Sequence, residues 1–301
     1  MLRSSFHPFR SELAKKRYLD YYYRREQEWP IQYEDTQINT SYGITNVRIS
    51  GNKCKQPLIL LPGYYANSLL WINNIAALSA FYCTYAVDNI YDVGLSVYTQ
   101  RPKSPNDYVL WLDEVLTAVN IHERVNLLGI SFGGWLAIMY ALRHSDRISK
   151  LVLLAPASIL PLCMAFYIRG GMGKLNKQLF RSFFYWIFED AGKSRNERIR
   201  KEMRESVEEI LLGMDCYQRK YELPPSVITD LELSSIHVPT QIIIGEHENV
   251  YSAKKAVDRL RRVAPQIKVA LVPNAGHDLL LSQTELVNEI ILEFLNQENI
   301  R

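Results

Sequence analysis

One stretch of the sequence constrains the fold more than any other, because a buried strand and a helix meet in it at a single serine. Residues 125–130 form a short, mostly apolar run of the kind that a buried parallel strand needs. From Gly133 onward the apolar residues recur at helical spacing. Glycines at 129 and 133 leave room for a sharp turn that holds the Ser131 hydroxyl at the helix N-terminus. An ordinary serine in a glycine-rich turn would give the same pattern, so its partners must be sought elsewhere in the chain.

Length and charge narrow the class of protein. A chain of 301 residues can form one large α/β domain with an insertion and bury a sizeable core. Its formal net charge of +3 is too small and too dispersed to indicate nucleic-acid binding. We therefore expect a small, uncharged or apolar partner, and the sequence leaves the oligomeric state open.

The cysteines and the N-terminus bear on the compartment. Cys54, Cys83, Cys163 and Cys216 are far apart with no CxxC pair, which favours reduced structural thiols over disulfides or metal ligands. We expect neither a metal nor a cofactor. The first ten residues lack the apolar core of a signal peptide, and no run approaches the ~18 apolar residues of a membrane span. These features predict a cytoplasmic protein without stable membrane insertion.

The first part of the chain precedes the regular pattern. Residues 11–29 predict a helix with Ser11 as its N-cap, which ends at Trp29-Pro30. We assign residues 1–30 to an N-terminal helical extension. Residues 36–40 and 45–49 then alternate around a glycine turn, which predicts an antiparallel pair at one edge of a sheet.

From residue 57 onward, apolar strands alternate with helices. This order predicts a parallel sheet covered on both faces, with the site beyond the carboxyl ends of its strands. The predicted strands are 58–61, 83–87, 125–130, 151–154, 240–244 and 269–272, and the predicted helices are 106–119, 133–143, 252–263 and 284–297. The core domain is expected over 31–156 and 236–301.

The loops after the first two predicted parallel strands lie at the same edge of the sheet as the serine. Gly63 lets the loop after the first parallel strand fold close to the serine, so that the backbone N–H groups of Tyr64 and Phe132 can form an oxyanion hole. A proline–glycine surface turn is the alternative for this loop. In the next loop, Asp88 and Asp92 are expected to bind backbone N–H groups rather than to act in catalysis.

The acid and the base are sought after the last two strands. Glu248 can accept a hydrogen bond from Nδ1–H of a histidine and so fix its tautomer, whereas Glu246 is close enough to the strand end to point away. His277 follows the next strand in a loop of small residues, where a base is needed. The expected set is therefore Ser131, Glu248 and His277.

Residues 157–235 interrupt the alternation, which indicates an inserted helical cap. Its segment 180–188 is rich in aromatic residues, which more often pack a cap on its domain, although some should line an apolar pocket. We assign Tyr65, Trp71, Phe183 and Trp186 to substrate binding.

The chain resembles the α/β-hydrolase superfamily and, within it, bacterial carboxylesterases related to the naproxen esterase. The residues that carry the resemblance are 60–63, Trp71, 85–88, 129–134, 245–248 and 274–277. It implies a mostly parallel eight-stranded sheet flanked by helices, with Ser131 as nucleophile, Glu248 as acid and His277 as base. The chain has Glu248 where many members have Asp, and Pro62 where the oxyanion loop usually carries His, whose hydrogen bonds must then be replaced.

The resulting expectation is a serine esterase for small to medium apolar carboxylic esters, without a cofactor. A thioesterase or a carbon–carbon bond hydrolase would use the same triad, and a ligand-binding protein with a silent site is the alternative outside enzymes. Epoxide hydrolases and dehalogenases are disfavoured, because those relatives have Asp in place of Ser131.

Overall fold

The sheet forms the centre of the molecule in this computed structural model, which describes residues 4–121, 123–173, 176–218 and 223–297. Nine strands lie within these ranges. They are β1 (Tyr33–Thr40), β2 (Gly43–Ser50), β3 (Pro57–Leu61), β4 (Cys83–Val87), β5 (Val97–Tyr98), β6 (Val125–Ile130), β7 (Ile148–Leu154), β8 (Thr240–Gly245) and β9 (Lys268–Val272).

Helices cover this sheet and fill the segment between β7 and β8. They are α1 (Glu12–Glu26), α2 (Ile75–Ser79), α3 (Pro105–Ala118), α4 (Phe132–Ala141), α5 (Met164–Gly173), α6 (Lys177–Ile187), α7 (Glu189–Lys193), α8 (Glu197–Cys216), α9 (Asp230–Ser234), α10 (Ala253–Val263), α11 (Leu279–Ser282) and α12 (Thr284–Asn296). Short 3-10 turns lie at Ser68–Trp71 and Ser145–Arg147.

The sheet order is β1-β2-β4-β3-β6-β7-β8-β9. All pairs from β4 to β9 along this order are parallel, whereas β1 and β2 form an antiparallel pair at the edge. The prediction of a mostly parallel eight-stranded sheet is thus confirmed. The added strand, β5, pairs with β2 off this path and spans only two residues, Val97 and Tyr98, too few to show a period in the sequence.

Helices on both faces explain why the central parallel strands are buried. Every residue of β3, β4 and β6 is buried. Along β3 the alternate residues Ile59 and Leu61 belong to one core cluster, and Leu58 and Leu60 belong to another. Because successive side chains of a strand point to opposite faces, the two clusters are the two sides of one sheet.

The N-terminal helix begins where the sequence predicts. The Oγ of Ser11 accepts a hydrogen bond from the Ala14 N–H at 3.1 Å, which caps α1. The preceding segment pairs with the end of α8, since the Arg10 N–H donates to the Cys216 carbonyl at 2.8 Å and the Gln218 N–H donates to the Pro8 carbonyl at 3.0 Å. These residues lie about 200 positions apart in sequence, and no local pattern relates them.

Among the described residues between β7 and β8, the segment predicted to be a cap contains the five helices α5 to α9. The four cysteines are free thiols. In the described part of the chain, no helix combines the length and apolarity required to cross a membrane.

Candidate active site

The turn from β6 into α4 positions Ser131. This residue has φ 52° and ψ −113°, a strained backbone for a residue with a side chain. Its N–H donates to the Leu154 carbonyl at 2.9 Å, which ties the turn to β7. A Cβ at position 133 would lie 2.2 Å from the carbonyl oxygen of Leu61, so only glycine fits where α4 crosses β3. Neighbouring strands therefore hold the strained serine in place.

A chain of two hydrogen bonds joins the serine to a carboxylate. Nε2 of His277 lies 3.0 Å from Oγ of Ser131, and Nδ1 lies 2.9 Å from Oε2 of Glu248. Because an ionised carboxylate only accepts, the proton belongs on Nδ1, and the neutral ring can accept the Ser131 hydroxyl proton at Nε2. The other carboxylate oxygen of Glu248 accepts from the Val250 N–H at 2.8 Å. The tautomer and the orientation of the ring are thereby fixed.

The surroundings of His277 favour its protonated form. Burial alone would lower its pKa, but the charge of Glu248, the hydrogen bond to that carboxylate and the charge of Asp278 together raise the pKa above its ordinary value. These groups would thus stabilise an imidazolium formed at this ring.

The loop after β8 carries Glu248 and is called the acid loop, and the loop after β9 carries His277 and is called the base loop. The two loops are held against each other. The His247 N–H donates to the Ala275 carbonyl at 2.8 Å. A Cβ at Gly245 would lie 2.3 Å from that same carbonyl oxygen, so glycine is required for this approach. The side chain of Glu248 is fully buried, whereas Glu246 is exposed. Of the two glutamates considered from the sequence, the structure brings Glu248 to the histidine.

The loop after β3 passes beside the serine. A Cβ placed on Gly63 would lie 3.5 Å from the Cβ of Ser131. The Tyr64 ring packs on the Phe132 ring, with centroids 4.2 Å apart. Phe132 begins α4, so its N–H is one of the first four that have no acceptor within the helix. The two predicted oxyanion donors thus lie on adjacent segments next to Ser131.

Other contacts hold this predicted oxyanion loop, which has Pro62 where the family resemblance implies a histidine. Tyr65 has φ 58°, and its N–H donates to Oδ2 of Asp92 at 2.9 Å. The Tyr64 hydroxyl donates to the Leu223 carbonyl at 2.7 Å. Farther along the loop, the Ser68 N–H donates to Oδ1 of Asp88 at 2.7 Å. Both aspartates therefore bind backbone N–H groups, in agreement with the sequence prediction.

Aromatic side chains of the inserted helices meet the oxyanion loop through Tyr65. Its ring centroid lies 6.0 Å from those of Phe180 and Phe184. Phe183 is 5% exposed and packs on Phe180 and on the partly buried Trp186. Tyr65 thus links these rings to the site, whereas Phe183 is chiefly a packing residue.

Trp71 lies elsewhere. Its side chain is completely buried in the core cluster on the other face of the sheet from Phe183. This position gives the predicted role in substrate contact no support. The 3-10 turn Ser68–Trp71 instead contributes to packing below the oxyanion loop.

The sequence pattern does not identify three residues that lie beside Ser131, Glu248 and His277. They are Asp190, His247 and Asp278. His247 precedes Glu248 and Asp278 follows His277, so adjacency could have drawn attention to them. Asp190, which contacts His247, comes from α7, and a sequence alone does not reveal that contact.

The fold and these loops define a member of the alpha/beta hydrolase family, to which the chain belongs: the family pattern matches residues 58–290. The chain is 31% identical over 290 residues to the uncharacterized carboxylesterase nap of Bacillus subtilis (strain 168), covering 94% of this chain and 93% of that protein. It is 32% identical over 273 residues to the carboxylesterase YbfK of the same organism, covering 89% of each. The crystal structure of naproxen esterase from Bacillus subtilis superposes with a TM-score of 0.85 at 30% identity, covering 95% of this chain and 99% of that chain.

Proposed function

We propose that this protein is a carboxylic ester hydrolase that works through an acyl-enzyme on Ser131. The observation that carries the proposal is the chain of contacts from Ser131 Oγ to His277 Nε2 at 3.0 Å and from Nδ1 to Glu248 at 2.9 Å. Relatives of nearly the same length that are named carboxylesterases support the same reaction.

The geometry supports a two-step mechanism. His277 takes the Ser131 proton at Nε2 while the serine oxygen attacks the ester carbonyl, and the N–H groups of Tyr64 and Phe132 stabilise the oxyanion. The protonated ring then gives its proton to the leaving alkoxide, which departs as the alcohol. A water molecule, deprotonated by the same ring, attacks the acyl-enzyme and releases the acid and the free serine.

The aromatic side chains that reach the oxyanion loop through Tyr65 favour an ester with an apolar acyl or alcohol part. Thioesters and carbon–carbon bonds next to a carbonyl could be cleaved by the same triad. Parallel assays with p-nitrophenyl esters, acyl-CoA thioesters and vinylogous diketones separate these substrate classes.

Labelling with a fluorophosphonate probe tests the proposal directly. The folded protein should take up one label, at Ser131, and lose esterase activity in proportion. The Ser131→Ala variant should remain folded, bind no label and show no turnover. A folded wild-type protein that resists the probe would favour a non-catalytic, ligand-binding member of the family.

A further inference from the structure

The short helix α7 of the insertion contacts the loops that carry the acid and the base. Asp190 lies 3.1 Å from Nδ1 of His247, the residue before Glu248. The Ala191 N–H donates to Oδ2 of Asp278, the residue after His277, at 2.7 Å. Two consecutive residues of α7 thus bind the two loops at positions adjacent to the triad.

Asp278 contributes to both sides of this junction. Its Oδ1 accepts from the Gly276 N–H at 3.2 Å and from the Ser282 hydroxyl at 3.3 Å. The same carboxylate therefore ties the backbone on the N-terminal side of His277 to the insertion through Ala191. The residue is 3% exposed, and its hydrogen bonds with Ala191 and Gly276 are buried away from competing water.

The charge of Asp278 reaches the histidine as well as its backbone. Burial and the nearby charge of Asp190 raise the pKa of Asp278, while the hydrogen bonds from Ala191 and Gly276 lower it in part. Because the carboxylate accepts from three donors, its ionised form fits the site. Its negative charge adds to that of Glu248 in raising the pKa of His277.

The acid loop also contacts parts of the insertion outside α7. The Asn249 side-chain amide donates to the Trp186 carbonyl at 2.6 Å, and the Cys163 N–H donates to the Val250 carbonyl at 2.8 Å. The acid loop is therefore attached to the insertion at His247, Asn249 and Val250. For the base loop, the hydrogen bond between Ala191 and Asp278 makes the corresponding connection.

We propose that Asp278 is a positioning residue for His277. Asp278 orients the His277 ring toward Ser131 when α7 packs against the acid loop and the base loop. The inference rests on the proposed esterase function, but Asp278 itself takes no part in the chemistry. It fixes the His277 backbone through Gly276 and the insertion through Ala191. The packing of α7 on the two loops is thereby coupled to the orientation of the His277 ring.

The test compares Asp278→Asn with wild type in kcat/KM for p-nitrophenyl butyrate across pH. The asparagine amide has the same shape as the carboxylate, but only its oxygen accepts a hydrogen bond. The hydrogen bond from either the Ala191 N–H or the Gly276 N–H is therefore lost. A small displacement of a catalytic group lowers rates by about 10- to 100-fold, and we expect a loss of about tenfold. The acid limb of the profile should move to lower pH, because one negative charge beside His277 is removed.

Two further variants separate charge from position. Asp278→Glu keeps the charge but moves the carboxylate by one methylene. It should therefore lower kcat/KM while the midpoint of the acid limb of the pH profile stays at the wild-type pH. Glu189→Gln is the matched control, because Glu189 is a half-exposed residue of the same helix that pairs with Lys193 at the surface. It should match wild type in rate and midpoint.

An NMR titration of the His277 ring measures the same midpoint without turnover, so the inference can be judged even if the protein is not an esterase. A downward shift of the midpoint in Asp278→Asn, together with a loss of kcat/KM that Asp278→Glu shares at an unchanged Tm, supports the inference. An unchanged midpoint, with either an unchanged rate or a rate loss that follows a lowered Tm, overturns it. Absence of turnover and of fluorophosphonate label in wild type would instead refute the proposed function.

Discussion

Oε2 of Glu248 lies 2.9 Å from Nδ1 of His277, whereas Glu246, two residues earlier on the same loop, is exposed. Replacing Glu248 with Gln removes the charge that stabilises the imidazolium and lets the ring adopt the wrong tautomer. We expect Glu248→Gln to lower kcat by roughly two to four orders of magnitude. Glu246→Gln, the matched control, should change kcat by less than about twofold. Equal losses in steady-state assays of both variants would contradict the assignment.

The raised pKa of His277 predicts the pH dependence. The base must be neutral to take the Ser131 proton, so kcat/KM should rise with pH and reach half its maximum above the ordinary histidine value of 6.5. Because the charge of Glu248 is a main cause of the rise, Glu248→Gln should move the midpoint of the remaining activity to lower pH. A profile of kcat/KM from pH 5 to pH 9 measures both midpoints. A midpoint that moves upward in the variant would be incompatible with this account.

The sequence predicts the parts of the site that depend on local pattern. A buried strand, a glycine-flanked serine and a helical period locate the turn at Ser131, because a sharp strand-to-helix turn needs those residues in that order. The strand ends place Glu248 and His277 in neighbouring loops, since the carboxyl ends of parallel strands meet at one edge of the sheet.

The contacts of the insertion could not be predicted in this way. Asp190 and Asp278 lie in unrelated segments, and their roles depend on how α7 rests on the sheet, which no periodicity specifies. The predicted role of Trp71 fails to find support for the same reason. Its place in the sequence suggests nearness to the oxyanion loop but does not determine the face of the sheet on which its ring packs.

Arg48 is a further residue whose environment the sequence conceals. It lies on β2 with a fully buried side chain, forms ion pairs with Glu26 of α1 and with Asp35 at 2.6 Å, and lies over the rings of Trp29 and Tyr33. An arginine on an edge pair of strands would ordinarily be assigned to solvent. Here α1 closes over it, so this ion cluster attaches the N-terminal helix to the sheet.

This environment predicts a large loss of stability in Arg48→Met. The substitution removes the charge-assisted hydrogen bonds from the buried Arg48 to Glu26 and to the more exposed Asp35, which typically costs about 1.5–3 kcal/mol. The control is Lys53→Met, which breaks the exposed pair of Lys53 with Glu34 at the same end of the sheet and should leave stability unchanged. Urea denaturation gives the free energy of unfolding of both variants. Equal stabilities of Arg48→Met and wild type would show that the cluster contributes nothing net.

The aromatic residues of the insertion predict the dependence of activity on acyl chain length. Phe180 and Phe184 contact Tyr65, whose own backbone lies in the oxyanion loop, so an acyl chain that extends from Ser131 toward Tyr65 meets apolar rings. Each buried methylene contributes about 0.8 kcal/mol, which corresponds to a rise in kcat/KM of up to roughly fourfold per CH₂. On p-nitrophenyl esters, kcat/KM should therefore climb from acetate to at least butyrate or hexanoate and then fall, with charged acyl groups poor throughout. Phe184→Leu, which removes a ring beside Tyr65, should move the optimum to longer chains. Tyr185→Leu, at an exposed position of the same helix, should leave the optimum unchanged. A flat profile in wild type, or a preference for charged acids, would mean that these rings only pack the insertion onto the core and that other residues bind the substrate.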